Sequence, residues 1–404
     1  MSATYRTIVV ICFVSLSAIS TGCKSELWTT MQQHSRADDS DIDPNEAANS
    51  EQTAELVPQT SAESELDRHR DLCLFGRDDM SSNIAFEGKA ATDVRQHTSP
   101  GEGADFDPDV DPTGKQLVFA STRHSRHSHL YTKSIDGAVV TQITDESADD
   151  AQPAFSPDGK LIAFTSDRGG QWDIWVVDTN GRNPIQITRN PMPELHPSWS
   201  PDGKRLVYCR LNSKENRGEL WVADLENPGV KRFIGEGLFP DWSPTGDKIV
   251  YQRARERGSR WFSIWTIDLR EDEVLFPTEI ASNTHAALIS PAWSADGTQV
   301  AFASVRAESS ENAGPDSLSY TDVGRSDIVM IDTDGRGLQR LTDGRGKHYA
   351  PTWAVDGRVF FTAKLSKGES IWSIKPFRPV IFTEPPVKTG NHRAAYVDDP
   401  ATEP

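Results

Sequence analysis

The segments Pro153-Ala-Phe-Ser-Pro-Asp-Gly159, Pro197-Ser-Trp-Ser-Pro-Asp-Gly203 and Pro240-Asp-Trp-Ser-Pro-Thr-Gly246 are copies of one phrase. Three looser copies flank them: Pro108-Asp-Val-Asp-Pro-Thr-Gly114, Pro291-Ala-Trp-Ser-Ala-Asp-Gly297 and Pro351-Thr-Trp-Ala-Val-Asp-Gly357. The closing glycines, Gly114, Gly159, Gly203, Gly246, Gly297 and Gly357, are spaced by 45, 44, 43, 51 and 60 residues. The short apolar stretch around Phe155 or Trp199 reads as a strand. Ser-Pro-Asp-Gly reads as a tight turn, in which Pro fixes φ at the second position and Gly accepts a positive φ.

Outward from each phrase the pattern continues. A second strand reads Leu161-Ile-Ala-Phe164 or Leu206-Val-Tyr208, and a third is marked by Ile174-Trp175 or Leu220-Trp221. A fourth is marked by Gln142-Ile-Thr144, Gln186-Ile-Thr188, Arg232-Phe-Ile234 and Arg340-Leu-Thr342. Four strands in such a period make one blade of a β-propeller. Eleven Trp, 25 Pro and 28 Gly beside 5 Met agree with many short strands and turns. The expected fold class is all-β, a six-bladed β-propeller of four-stranded blades preceded by a disordered tether. Six phrases in this order and spacing resemble the TolB-type propeller repeat, the WD40-like Ser-Pro-Asp-Gly blade that also builds the N-terminal propellers of prolyl-oligopeptidase-like peptidases. The resemblance runs from Asn83 to Thr383.

Two closures of the ring are open at this level. Asn83 to Thr98 aligns without gaps on Asp327 to Thr342, so the N-terminal segment supplies a third and fourth strand that complete the last blade and give six blades. Alternatively Val380-Ile-Phe-Thr383 is that blade's own fourth strand, leaving Leu72 to Thr98 as a degenerate seventh. The propeller is assigned to residues 71–383, with a loose tail over 384–404.

Residues 1–22 form an export signal, with Arg6, an apolar run from Ile8 to Ile19 that is too short to span a bilayer, and Ser20-Thr21-Gly22-Cys23. A small residue before cysteine just after the apolar core resembles the lipobox of bacterial lipoproteins. That resemblance implies cleavage between Gly22 and Cys23 and lipidation of Cys23. Ser20 stands where that family more often has Leu. Lys24 follows, where the family's inner-membrane retention signal is Asp, so the implied location is the periplasmic face of the outer membrane. The linker over 23–70 holds 11 Asp and Glu against 4 Lys and Arg from Lys24 to Arg70, without apolar periodicity. Such a segment cannot offset its ordering entropy and reads as a flexible spacer. Of the remaining cysteines, Cys73 and Cys209 read as two free thiols or one envelope disulfide.

The chain carries 60 Asp and Glu against 42 Lys and Arg, a net charge of -18 over 404 residues, which argues against a nucleic-acid partner. There is no Gly-x-Ser-x-Gly, His-Glu-x-x-His, Cys-x-x-Cys or Walker loop, and only 21 residues follow Thr383, too few for a hydrolase domain. Candidate metal ligands are Asp105, Asp107, Asp109 and Asp111, which alternate as if on one side of a strand; His124, His127 and His129, in a loop between second and third strands; and His196, His285 and His348, shortly before inner strands. Channel histidines hold a divalent metal in some propeller polysaccharide lyases that resemble this family, but these three lie one, six and three residues before their prolines and share no register. Solvated carboxylates, an exposed loop and no cofactor are the plainer readings. Trp199, Trp242, Trp293 and Trp353 share one position and read as packing between blades. The Arg306 to Arg325 insertion in the fifth repeat marks a loop on one face. The function expected is a non-enzymatic, envelope-anchored module that binds an envelope protein or peptide at one end of the propeller and reaches the membrane through Cys23. The alternatives are a metal-dependent enzyme acting on an acidic polysaccharide and a purely structural surface protein.

Overall fold

A computed structural model describes residues 91–377, apart from 100, 102, 146, 216, 255–261, 271–272, 284–285, 308–322, 344–345 and 366–367. The signal with Gly22 and Cys23, the tether, Cys73, His285, most of the insertion and Val380 to Thr383 lie outside the described residues. Among the described residues there are 24 strands and no helix.

Four blades are continuous chain, each an antiparallel sheet in sequence order. They are β2 (Asp105–Val110) to β5 (Val140–Gln142), β6 (Asp150–Phe155) to β9 (Ile185–Gln186), β10 (Glu194–Trp199) to β13 (Lys231–Glu236), and β14 (Leu238–Trp242) to β17 (Glu273–Ala281). The fifth runs from β18 (Ala286–Trp293) to β21 (Gln339–Arg340), and the last is built from β22 (Lys347–Trp353), β23 (Val359–Leu365) and β24 (Gly368–Pro376). Its outer strand is β1 (Ala91–Gln96), with Ala91 opposite Pro376 and Gln96 opposite Trp372. Inner strands of neighbouring blades touch all around the ring, β22 against β2 included.

The closure has a repeated chemical device. In the second blade Ile187 N donates to Ile174 O (2.9 Å), and Thr188 Oγ1 accepts from Ile174 N (2.9 Å). In the last blade His97 N donates to Ile371 O (2.8 Å), and Thr98 Oγ1 accepts from Ile371 N (2.9 Å). Thr144 and Thr342 do the same for Leu130 and Ile328. Where the outer strand peels away, the hydroxyl satisfies the next ladder donor, which would otherwise be buried without a partner. Ala91 to Thr98 thus fills the edge that the seven-blade alternative reserves for Val380 to Thr383, and the ring has six blades.

The apolar faces of the blades form the core. Phe106, Phe119, Phe164, Tyr208, Phe302, Phe360 and Phe361 are all buried between sheets, each contributing on the order of 2 kcal/mol by removal from water. Strand β17 has no counterpart in the sequence reading. It is nine residues long and carries Pro277, and proline is tolerated there because an outer strand has a free edge.

Candidate functional site

Each inner strand has its free edge on the central channel, and each is interrupted at one place. The residue before the phrase's first proline has a positive φ in all six blades: Asp107, Gln152, His196, Phe239, Ser290 and Ala350, between 49° and 55°. The register between first and second strands slips at the same point in every blade. This is a bulge repeated six times. The proline that follows has no N–H, so the channel wall exposes no unpaired donor at that position.

The six prolines, Pro108, Pro153, Pro197, Pro240, Pro291 and Pro351, surround a cavity of about 440 Å³. Turn residues Pro112, Pro157, Pro201, Pro244 and Ala295 also line it, so it opens at the end of the ring that carries the first-to-second-strand turns. All six turn glycines have positive φ, as the turn chemistry requires. At Gly114 a Cβ would also come within 2.9 Å of Val355 in the neighbouring blade. The mouth is a cup walled mainly by proline and the edges of buried tryptophans.

Carboxylates stand out against that apolar wall. The residue after each proline is Asp109, Ala154, Ser198, Asp241, Ala292 or Thr352, and Asp109 and Asp241 are half-buried in the cavity wall. Asp109 Oδ2 accepts from Phe155 N (2.7 Å) of the next blade, and Oδ1 from Thr352 Oγ1 (3.0 Å) of the preceding one. Asp241 repeats the arrangement with Trp293 N (2.8 Å) and Ser198 Oγ (2.8 Å). Trp199 Nε1 and Trp293 Nε1 donate to Ala154 O and Asp241 O of the preceding blades. The two aspartates therefore brace blades as well as carrying charge. No Lys or Arg pairs with either among the described residues. Burial pushes Asp109 up to about 7 and Asp241 up to about 6. Deeper in the channel Asp107 is pushed up to about 8, by burial first and by the charge of Glu369 second. Its Oδ2 is buried without a hydrogen-bond partner.

The other end of the inner strands is built differently. Asp105, Asp150 and Glu194 are fully buried and pair with Arg123 (2.7 Å), Arg168 (3.0 Å) and Arg210 (2.7 Å). The guanidinium groups also lie over Phe119, Tyr131, Phe164, Trp175 and Trp221. Each pair closes one blade's first two strands at the end away from the cup.

The structure separates the predicted metal ligands. His196 and His348 lie within β10 and β22 rather than in the connections before them. They belong to blades on opposite sides of the ring and to different levels. His196 occupies the bulge; His348 has the register of Asp105, Asp150 and Glu194. His196 packs on Phe239 with ring centroids 3.7 Å apart and faces the buried Cys209 thiol at 3.6 Å. Burial lowers the imidazole to about 3 and pushes Cys209 up to about 12. Cys209 is a free buried thiol. His348 Nδ1 meets Ser326 O at 3.1 Å, and burial lowers its pKa. Both Nε2 atoms are buried without partners, yet among the described residues no three His, Cys, Asp or Glu side chains converge as a ligand set. The described residues do not fit a channel metal.

Two further expectations need correction. The bulge breaks the alternation of Asp105, Asp107, Asp109 and Asp111, which face Arg123, the deep channel, the cup and their own turn; Asp111 accepts Thr113 Oγ1 and Gln116 N. His124, His127 and His129 are not one exposed loop, since His129 opens β4 (His129–Ser134) and is buried, while His127 sits 3.4 Å from Asp149.

The sequence profile of the TolB beta propeller domain matches residues 78–181 and 171–311. An uncharacterised protein of Agrobacterium fabrum is 36% identical over 70 residues, 17% of this chain and 24% of that protein. The Tol-Pal system protein TolB of Roseobacter denitrificans is 37% identical over 81 residues, 19% of this chain and 17% of that protein. The chain thus matches about a quarter or less of the length of these curated relatives. A solved structure from Agrobacterium tumefaciens, ascribed to TolB, is 21% identical and superimposes with a TM-score of 0.50 over 71% of this chain and 97% of that one. Profile segments that together span more than half of the sequence make this chain a member of the TolB beta propeller family.

Proposed function

We propose that this chain is a lipid-anchored envelope protein, held through Cys23 at the periplasmic face of the outer membrane, whose propeller binds an extended peptide segment of an envelope protein without catalysing a reaction. The observation that carries the reading is the cup. Proline and tryptophan edges offer flat apolar contacts, and Asp109 and Asp241 offer negative charge that no cation among the described residues offsets. Such a surface selects an extended apolar segment with a Lys or Arg side chain over an anionic one. An acidic polysaccharide would meet like charge there, and the histidines that would hold its metal stand on opposite blades.

The test is a panel of 12-residue synthetic peptides, titrated into wild type and the D109N/D241N variant by fluorescence anisotropy. Peptides that bind saturably carry a cation and lose at least tenfold in affinity in the variant. Absence of any saturable binding, or binding indifferent to both aspartates, overturns the reading. For the anchor, palmitate labelling in a bacterial host is expected for wild type and lost in Cys23→Ala.

A further inference from the structure

At the cup end the blades meet through their turns, and one seam differs from the rest. The second turn residue of each phrase comes close to the turn glycine of the next blade. A Cβ built at Gly159, Gly203, Gly246 or Gly297 would stand 3.4 to 3.9 Å from Pro112, Pro157, Pro201 or Pro244 respectively, and at Gly114 it would meet Val355. The fifth phrase has Ala295 at this place, and a Cβ at Gly357 would find nothing within 4 Å. The absent proline ring leaves a cavity of about 380 Å³ between the fifth and last blades, lined by Ser294, Ala295 and Asp296 on one side and by Trp353, Val355 and Lys375 on the other. Ser294, Ala295 and Trp353 also line the cup, so the two cavities share a wall.

Two hydrogen-bond donors are unmatched at this seam. Trp199 Nε1 and Trp293 Nε1 each donate to the carbonyl of the residue after the first proline of the preceding blade (3.0 and 3.1 Å), and Trp242 Nε1 donates to Gly246 O (3.2 Å). The equivalent acceptor for Trp353 would be Ala292 O, yet Trp353 is 8% exposed and its Nε1 is buried without a partner. Lys375 is exposed on the cavity wall, and among the described residues no carboxylate pairs with it. The acids of the rim turn toward their own hairpins. Asp296 Oδ1 accepts from Ser294 Oγ (2.6 Å) and Thr298 Oγ1 (2.7 Å), and Asp356 pairs with Arg358 (3.1 Å).

We infer that this seam cavity is a carboxylate subsite, in which Lys375 Nζ and Trp353 Nε1 donate to one carboxylate of a bound ligand. A buried donor without an acceptor is unfavourable, and a ligand that supplies the acceptor removes that cost. The ammonium group selects an ionised oxygen over a neutral carbonyl. The inference deepens the function proposed above and rests on it for the remainder of the ligand. Asp109 Oδ1 accepts from Thr352 Oγ1, and Thr352 is the residue before Trp353. The cation and carboxylate subsites therefore stand on the order of 10 Å apart, about three residues of extended peptide. The segment selected carries a Lys or Arg and, a few residues away, a carboxylate, which is either its own C-terminus or an Asp or Glu side chain.

The experiment uses the full chain, isotope-labelled in nitrogen, and reads the indole N–H signal of Trp353, assigned by its loss in Trp353→Phe. Three small probes are titrated: N-acetylglycine, a minimal C-terminus; the α-amide of N-acetylaspartic acid, a minimal acidic side chain; and N-acetylglycinamide, which lacks the carboxylate. At least one acid should shift the Trp353 signal saturably, and which acid does so tells a C-terminus from a side chain; the amide should not. Lys375→Met should weaken that acid by about tenfold, the loss of one charged hydrogen bond. Ala295→Pro, which restores the residue found at Pro112, Pro157, Pro201 and Pro244, should abolish the shift while the other indole signals stay in place. No saturable shift with either acid overturns the inference. So does a shift that the amide reproduces, or one that both substitutions leave unchanged. The probes carry no cation, so these outcomes are independent of the peptide panel. If panel peptides bind through Asp109 and Asp241 while neither acid moves the Trp353 signal, the peptide site stands and the carboxylate subsite falls. If an acid binds the seam while no panel peptide binds, the subsite stands and the function proposed above falls.

Discussion

The inner strands carry acids at two levels, and the fold treats them in opposite ways. At one end Asp105, Asp150 and Glu194 are each matched by an arginine that reaches back from the second strand or the turn just after it and is itself held over aromatic rings. At the other end Asp109 and Asp241 receive only neutral donors from neighbouring blades. A buried charge with a matched partner serves architecture. A charge left unmatched where a cavity opens is free to serve a ligand. The difference teaches which carboxylates a sequence reading should count as structural, and it can be broken experimentally at either end.

The largest effect is expected at the paired end. Arg210→Ala leaves Glu194 buried without its cation, and removing one partner of a buried pair typically costs about 3 to 5 kcal/mol. The urea midpoint should fall accordingly, and binding at the cup should not change in the variants that remain folded. A loss below about 1 kcal/mol would show that Glu194 does not depend on its arginine and would dissolve the contrast between the two ends.

At the unpaired end the sign reverses. Asp109 and Asp241 have folded-state pKa values of about 7 and about 6, above the usual 3.8. Between pH 4 and 7 the folded chain therefore holds protons that the unfolded chain has released, and these two groups make stability fall as pH rises. D109N/D241N should be more stable than wild type by about 2 kcal/mol at pH 8, with the gain vanishing toward pH 4. Affinity for a cationic peptide should move the other way in wild type, rising through pH 6 to 7 as the carboxylates ionise. Denaturant curves at four pH values check the first statement, and anisotropy titrations at the same values check the second. A variant equally or less stable at pH 8 would mean that bracing outweighs the burial of charge.

Much of the ring was legible in the sequence because its turns are chemically local. Ser-Pro-Asp-Gly marks a hairpin in each repeat, and Gln96-His97-Thr98 repeats the outer-strand phrase, which made it one of two candidates to close the last blade. Strand β17 was not legible, since Glu273–Ala281 lacks that phrase and carries a proline. The site was hidden for a different reason. A positive φ before proline runs against the extended preference of that position, so nothing local announced the bulge that turns Asp107 and His196 toward the channel. Asp109 and Asp241 stood inside the quoted phrases, but their role shows only when the residues after the six prolines are compared as one column. The unequal offsets of His196 and His348 from their prolines were legible, but not their meaning in space: one residue before the proline is the bulge, and three residues before it is the opposite end of the strand.

The smallest predicted effect isolates how an unmatched carboxylate is held. Ser198 Oγ donates to Asp241 Oδ1 (2.8 Å) and accepts from Trp242 N (3.0 Å), joining two blades through one hydroxyl. Ser198→Ala removes both bonds and leaves a buried N–H without a partner, an expected loss of about 1 to 2 kcal/mol in a thermal melt. It also removes a donor that favours the ionised form, so the carbon-detected NMR titration of Asp241 should shift upward from about 6. The two readouts separate the roles of this aspartate. A stability loss with no change in the titration would mean that Ser198 serves only the Trp242 backbone, and that solvent in the cup sets the charge on Asp241. An upward shift with weaker binding of cationic peptides near pH 7 would mean that the bonds between blades keep the carboxylate ionised for its ligand.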